Sequence, residues 1–208
     1  MEVVAFRLAN YETPLWAVQN FAAGRYNHAD SGFAQYLSLH PLTPWAELLR
    51  NEDRRTRERA LLMRYPLWAL RAQLTEEPLA LTFDTAPEHG LRPGDLVSDD
   101  HGACRAFADR LRRADGPKAF TAPSAALAGT WNLVVLEPRV LTSWQAVPVD
   151  ELDWPGSLAV QDGRCPEALW DQVAYRGARG LHPALRAWRA GRTLEYREPP
   201  VSTHTLAA

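Results

Sequence analysis

The sequence predicts one mixed α+β domain with a C-terminal extension, on three observations. The chain has 208 residues, a length that supports one sizeable core plus an appendage. Hydrophobic residues make up 46% and charged residues 23%, close to globular averages, which excludes global disorder. Short β-branched or alternating runs such as VVAFRL and WNLVVLEP are interleaved with segments of helical spacing such as HGACRAFADRLRRADG.

Taken in order, Val3–Leu8 (VVAFRL) reads as a strand carrying one cation, Arg7. That arginine is either solvated on an edge strand or committed to a site. After Pro14, LWAVQNFAA is ambiguous between a short helix and a loop packed by its aromatics. Gly24, Asn27, Asp30, Ser31 and Gly32 then punctuate a turn region, and FAQYLSL follows as a short strand. Thr43 is a good N-cap and Pro44 a good first helical residue. Counted from Thr43, the capping-box position falls on Ala46, so Glu47 stands one residue too late to cap. Its neighbours Trp45, Ala46, Leu48 and Leu49 are apolar, which leaves a solvent-facing carboxylate or one held in a cleft.

From Asn51 to Arg64, acids interleave arginines, which predicts a helix with a solvated face, stopped by Pro66. Leu67–Leu74 and Leu79–Phe83 read as two strands, and residues 84–99 as a surface loop rich in Pro and Gly. Cys104, Phe107, Ala108 and Leu111 follow helical spacing up to Gly116. Ala119–Ala122 and the apolar run WNLVVLEP are strands, which places Ser124 on the loop between them without the GxSxG setting of a serine nucleophile. Beyond Val140 the sequence predicts one more strand, two short helices over Pro166–Tyr175 and Pro183–Arg189, and a strand at TLEYRE before a polar tail.

Composition excludes several functions. A formal net charge of -2 provides no broad positive field, so neither direct nucleic-acid binding nor attachment to an anionic membrane is expected, and any anion must be bound locally. No apolar run approaches bilayer length, and EVVAFRLANYE lacks the features of a secretion signal. Cys104 and Cys165 stand alone, with neither CxxC spacing nor a disulfide framework, so a cytoplasmic, reducing setting is expected. The six histidines form no HExxH or paired-ligand pattern, so no metal is expected. The GxxxxGK[ST] and GxGxxG phosphate cradles are likewise missing.

Six pieces in fixed order carry a resemblance: FR at Phe6-Arg7, AGRYN at Ala23–Asn27, YLS at Tyr36–Ser38, AE at Ala46-Glu47, APS at Ala122–Ser124, and WNLVVLEP at Trp131–Pro138. In this order they resemble the RES-domain family, over roughly residues 3 to 142. Ala23 and Tyr26 replace a glycine and the more usual tryptophan, and no arginine follows Ser124 where the family often has one. The resemblance implies an ADP-ribosyltransferase-like split β-sheet core flanked by helices. It divides the chain into a RES domain at residues 1–142 and a helical extension at residues 143–208 packed on the same domain. It also implies a toxin that degrades NAD+ by cleaving the nicotinamide–ribose bond, as a glycohydrolase or phosphorylase, paired with an Xre-like helix-turn-helix antitoxin. NAD+ is then substrate, with no metal. By the same resemblance Arg7 and Arg25 hold the pyrophosphate with Asn27 beside them, Tyr36 stacks on the nicotinamide, Glu47 bonds the ribose hydroxyl, and Ser124 orders Arg25 and Glu47. Transfer of ADP-ribose to a protein or nucleic acid, and a noncatalytic NAD-binding module, are the alternatives.

Overall fold

The computed structural model describes residues 1–10, 15, 23–29, 33–142 and 158–198. Of the strand expected beyond Val140, Leu141–Thr142 is described; residues 143–157, LWAVQNFAA apart from Leu15 and Ala23, Asp30–Gly32, and the polar tail beyond Glu198 lie outside the described residues.

Eight strands form one sheet: β1 (Glu2–Leu8), β2 (Gln35–Ser38), β3 (Arg64–Gln73), β4 (Leu79–Ala80), β5 (Ala119–Pro123), β6 (Trp131–Val135), β7 (Leu141–Thr142) and β8 (Leu158–Arg164). Their order is β4-β5-β6-β2-β1-β3, after which β7 and β8 pair along the far edge of β3. All pairs are antiparallel except β4 with β5. The helices are α1 (Thr43–Asn51), α2 (Arg54–Ala60), α3 (Gly102–Arg113) and α4 (Pro183–Arg189). This is the α+β fold the sequence predicts.

Period-two alternation sorts the strand residues onto two faces. Phe6 pairs with Ser38, Ser38 with Asn132, and Tyr36 with Val134, so these residues share one face. Ala5, Leu37, Leu133 and Val135 leave the other face and form a cluster with Leu70 and Val140. On the first face lie two further clusters. One gathers Trp45, Ala46 and Leu49 of α1 with Leu127, Leu169 and Val173. The other gathers Phe107 of α3 with Tyr26, Phe120, Leu96 and Leu185. The functional residues lie along the seam between them.

Several expectations change. Leu42, not Thr43, is the N-cap of α1 and makes no side-chain cap; the Thr43 hydroxyl instead bonds buried Thr130 Oγ1 at 2.9 Å. The charged helix breaks after Asn51, where Asp53 caps α2 by accepting from the Thr56 amide at 2.9 Å. Pro66 stops nothing: β3 begins at Arg64, and Pro66 pairs with Asp162 inside the sheet. Residues 84–99 are not a plain surface loop, since 3-10 turns at Ala86–His89 and Pro93–Leu96 bury Ala86, Leu91, Leu96 and Val97. The first expected C-terminal helix is a 3-10 turn at Glu167–Gln172, while the second is α4. TLEYRE forms no strand; its Tyr196 amide bonds the Gly129 carbonyl at 3.2 Å. β8 was not expected, because LAVQDGR carries Asp, Gly and Arg among few apolar positions.

Candidate active site

The turn before β2 is built around a missing side chain. A Cβ at Gly24 would stand 2.4 Å from Asn27 Oδ1 and 2.5 Å from the Tyr36 hydroxyl. Glycine lets the chain pass over those atoms. Asn27 Oδ1 accepts from the Gly24 amide (3.2 Å) and from Tyr36 Oη (2.8 Å), while Tyr36 Oη accepts from the Tyr26 amide (2.8 Å). From α3, Arg105 and Arg112 bond the Gly24 and Tyr26 carbonyls at 2.9 and 2.8 Å. The turn is thereby fixed between strand and helix, with Arg25 at its apex.

Arg25 donates to the carbonyls of Asp95 (3.2 Å) and Ser98 (2.8 Å). Carbonyls orient a guanidinium without neutralising it, and among the described residues no carboxylate pairs with Arg25. Its charge acts on Glu47, Tyr36 and His101. Tyr36 is pushed up to about 12 by burial, so its ring is a neutral surface at any physiological pH.

Glu47 projects from the second turn of α1 into a cleft of about 260 Å³ lined by Phe6, Arg7, Leu8, Tyr36, Ser38 and Pro44. Burial raises its pKa above the ordinary 4.5; the Asn132 hydrogen bond, Arg25, Arg50 and the Ser124 hydroxyl oppose the rise, in that order. Asn132 Nδ2 donates to Glu47 Oε1 at 2.6 Å, and Asn132 Oδ1 accepts from Ser38 Oγ at 3.0 Å. An ionised carboxylate only accepts, so this chain sets the orientation of the amide. Ser124, 1% exposed, accepts from the amides of Ala126 and Leu127 at 3.2 Å, which turns its loop toward the carboxylate.

The structure therefore brings Arg25, Tyr36, Glu47 and Ser124 together. Asn27 stands behind them, 1% exposed, its amide spent on Gly24, Tyr36 and the His28 carbonyl. It holds the turn and does not face the cleft. Arg7 is among the residues lining the Glu47 cleft. It has the strand parity of Ala5, its Nη1 donates to Gln35 Oε1 at 2.8 Å, and burial lowers its pKa to about 10. Asn132 was unassigned in the sequence, although it stands in WNLVVLEP and pairs with Ser38 of YLS; strand register was the signal.

Arg50 is the second unassigned residue, one turn after Glu47. Its Nη2 bonds Asp99 Oδ1 at 2.7 Å, its Nη1 bonds the Ala174 carbonyl, and the Ala174 amide bonds the Ala126 carbonyl at 2.8 Å. His101 is held down to about 4, first by burial and then by Arg25, Arg176, Arg105 and Arg50. The site is thus a carboxylate in a local field of cations, a setting for a ligand that is anionic in one part and becomes cationic in another. No group of three potential metal ligands occurs among the described residues.

The model of the RES domain matches residues 4–155. The chain belongs to the RES domain family. A chain of the crystal structure of the M. tuberculosis MbcT-MbcA toxin–antitoxin complex superposes on this chain with a TM-score of 0.56 and 20% identity. The likeness covers 84% of this chain and 90% of that one. It bears on the fold alone. No curated protein matches the sequence significantly. Among the described residues of the RES domain, no helix is long and apolar enough to cross a membrane.

Much of the site's support lies past the family match. Val173 packs with the α1 cluster and Leu185 with the α3 cluster, so the segment between them crosses the seam. On the way Ala174 holds Arg50, and the Gly177 amide bonds Asp99 Oδ2 at 2.8 Å. Tyr196 lies so close to Gly129 that a Cβ there would stand 2.5 Å from the Tyr196 nitrogen. The C-terminal part of the chain thus buttresses both Arg50 and the Ser124 loop.

Proposed function

We propose that this protein is the toxin of a toxin–antitoxin pair and consumes NAD+ by cleaving the bond between nicotinamide and ribose. The observation that carries the reading is Glu47, a cleft carboxylate clamped by Asn132 at 2.6 Å beside the Tyr36 ring. Family membership and the likeness to a toxin–antitoxin complex support the biological role.

The chemistry asks little beyond these groups. As the C1′–N bond breaks, its electron pair passes to the pyridinium ring, and nicotinamide leaves neutral without needing an acid. Positive charge develops on the ribose, and an oriented anion stabilises it. Glu47 supplies that anion and accepts from a ribose hydroxyl, while Asn132 and Ser124 fix its direction. Tyr36 offers a flat apolar face to the nicotinamide ring. Arg25, whose charge acts on Glu47, and Arg7, in the cleft lining, supply guanidinium groups for the phosphate oxygens, with Arg50 one helical turn from Glu47. Water or inorganic phosphate then adds to C1′ and releases a proton to solvent, giving ADP-ribose or its 1-phosphate.

The test is incubation of purified protein with NAD+, with and without phosphate, while free nicotinamide is followed by chromatography. Release that disappears in Glu47→Gln is expected. Absence of release under both conditions, or full activity in Glu47→Gln, refutes the reading; label retained on a protein or nucleic acid would assign ADP-ribosyl transfer instead. On the partner side, a neighbouring open reading frame encoding a helix-turn-helix protein is expected, and its product should co-purify with this chain and relieve its toxicity.

A further inference from the structure

We propose that the cleft between residues 92–99 and residues 173–189 is a binding site for a nucleoside diphosphate. It encloses about 860 Å³, against about 260 Å³ at Glu47, and lies within the range of small-molecule sites. Five arginines line it: Arg50, Arg92, Arg179, Arg186 and Arg189. The two acids on its wall are already committed. Asp95 takes the Arg92 guanidinium at 2.9 and 3.1 Å, and Asp99 takes Arg50 and the Gly177 amide. Among the described residues no carboxylate pairs with Arg179, Arg186 or Arg189. Three uncompensated cations thus converge in one cleft of a chain whose formal charge is -2.

The cleft also offers rings held in place. Trp188 donates from Nε1 to Asp84 Oδ1 at 2.8 Å and packs on Phe83. Tyr175 is tied through its hydroxyl to the Trp170 carbonyl at 2.9 Å, with the Arg57 guanidinium 4.2 Å over its ring. Arginine forks suit phosphate oxygens, and Trp188 and Tyr175 give the lining an aromatic component that suits a nucleobase. His182, on the cleft wall, has its pKa lowered to about 4, first by burial and then by Arg50.

Arg50 joins this cleft to the Glu47 site, one helical turn away. The nucleotide could therefore be the adenylate end of a dinucleotide bound at Glu47 or a separate molecule, and both share the same recognition chemistry. Binding does not depend on turnover, so the inference is tested without it. Calorimetric titration of the full-length protein with ADP should show saturable binding that weakens as salt rises. The double variant Arg179→Ala/Arg189→Ala, altered only at exposed positions, should lose at least tenfold in affinity with an unchanged melting temperature. Inorganic phosphate should bind at least tenfold more weakly than ADP. In Glu47→Gln, which holds NAD+ without the proposed cleavage, displacement of ADP by NAD+ identifies the adenylate end as the occupant; simultaneous binding identifies a separate nucleotide. No saturable ADP binding at millimolar concentration, ADP binding no tighter than phosphate, undiminished affinity in the double variant, or preference for an acidic peptide or single-stranded oligonucleotide over ADP would overturn the proposal.

Discussion

Asn132 is where the site can be perturbed with the least ambiguity. Replacing it by Asp keeps the shape and the Ser38 contact but exchanges the 2.6 Å donor on Glu47 for a second acceptor. A hydrogen bond to a charged group contributes about 1.5–3 kcal/mol net. At about 1.4 kcal/mol per factor of ten, its loss lowers kcat/KM for nicotinamide release at pH 7 by roughly 10- to 150-fold. The sign of the pH effect follows as well. Glu47 works ionised, burial already lifts its pKa above 4.5, and Asn132 is the largest influence holding it down. Removing that influence moves the acid limb of the rate profile to higher pH, and part of the activity returns at alkaline pH. A merely structural asparagine would lower the rate evenly across pH. A folded Asn132→Asp protein with kcat/KM within threefold of the parent and an unmoved acid limb would refute the reasoning.

Four further outcomes follow from the same geometry. Glu47→Gln should melt higher than the parent at neutral pH, by roughly 2–4 °C for each kcal/mol relieved. Its raised carboxyl contributes stability that is complete below the unfolded value of 4.5 and is lost as pH rises through the folded pKa, so the two melting curves should converge below that value. Gly24→Ala drives a methyl into Asn27 and Tyr36 and should cost about 1–3 kcal/mol by denaturant titration, with activity falling further because Arg25 shifts. Asp99→Ala frees the Gly177 amide and one Arg50 nitrogen; since Asp99 is 46% exposed, screening limits the loss to about 1 kcal/mol, and hydrogen exchange at Gly177 should accelerate. Cys104 and Cys165 are buried, with pKa raised by desolvation and Cys165 at about 11, so both thiols should resist alkylation at pH 8 until the protein unfolds.

The elements legible in the sequence were those whose residues announce their own burial. β1, β5, β6 and α3 carry continuous apolar runs or clean helical spacing and lie where the pattern puts them. The misses have local causes. Thr43 has the chemistry of a cap, but a buried partner on another loop, Thr130, competes for its hydroxyl and wins. β8 is polar because it extends an edge, where pairing with β3 supplies what its side chains do not. Residues 84–99 are rich in Pro and Gly yet bury Leu91 and Leu96, since 3-10 turns satisfy their backbone without regular structure.

Arg7 obeys two constraints at once. A motif fixes order along the chain, whereas a strand residue's side is fixed by parity; Arg7 has the parity of Ala5 and not of Phe6, and it still lines the Glu47 cleft. Glu47 obeys a different constraint: at the fifth helical position it is beyond capping distance, so nothing in α1 needs a carboxylate there, and its burial raises its pKa against the interest of stability. A group kept at a cost to the fold, whose anionic form Asn132, Arg25, Arg50 and Ser124 all favour against burial, suits the proposed chemistry, which requires an anion. The cations follow the same logic at longer range. Arg50 is held by Ala174, outside the family match of residues 4–155, so the proposed anion recognition draws on residues beyond that match. Truncation after residue 165 should therefore remove the Arg50 carbonyl partner and the Ser124-loop brace together, and weaken phosphate recognition even where the sheet still forms.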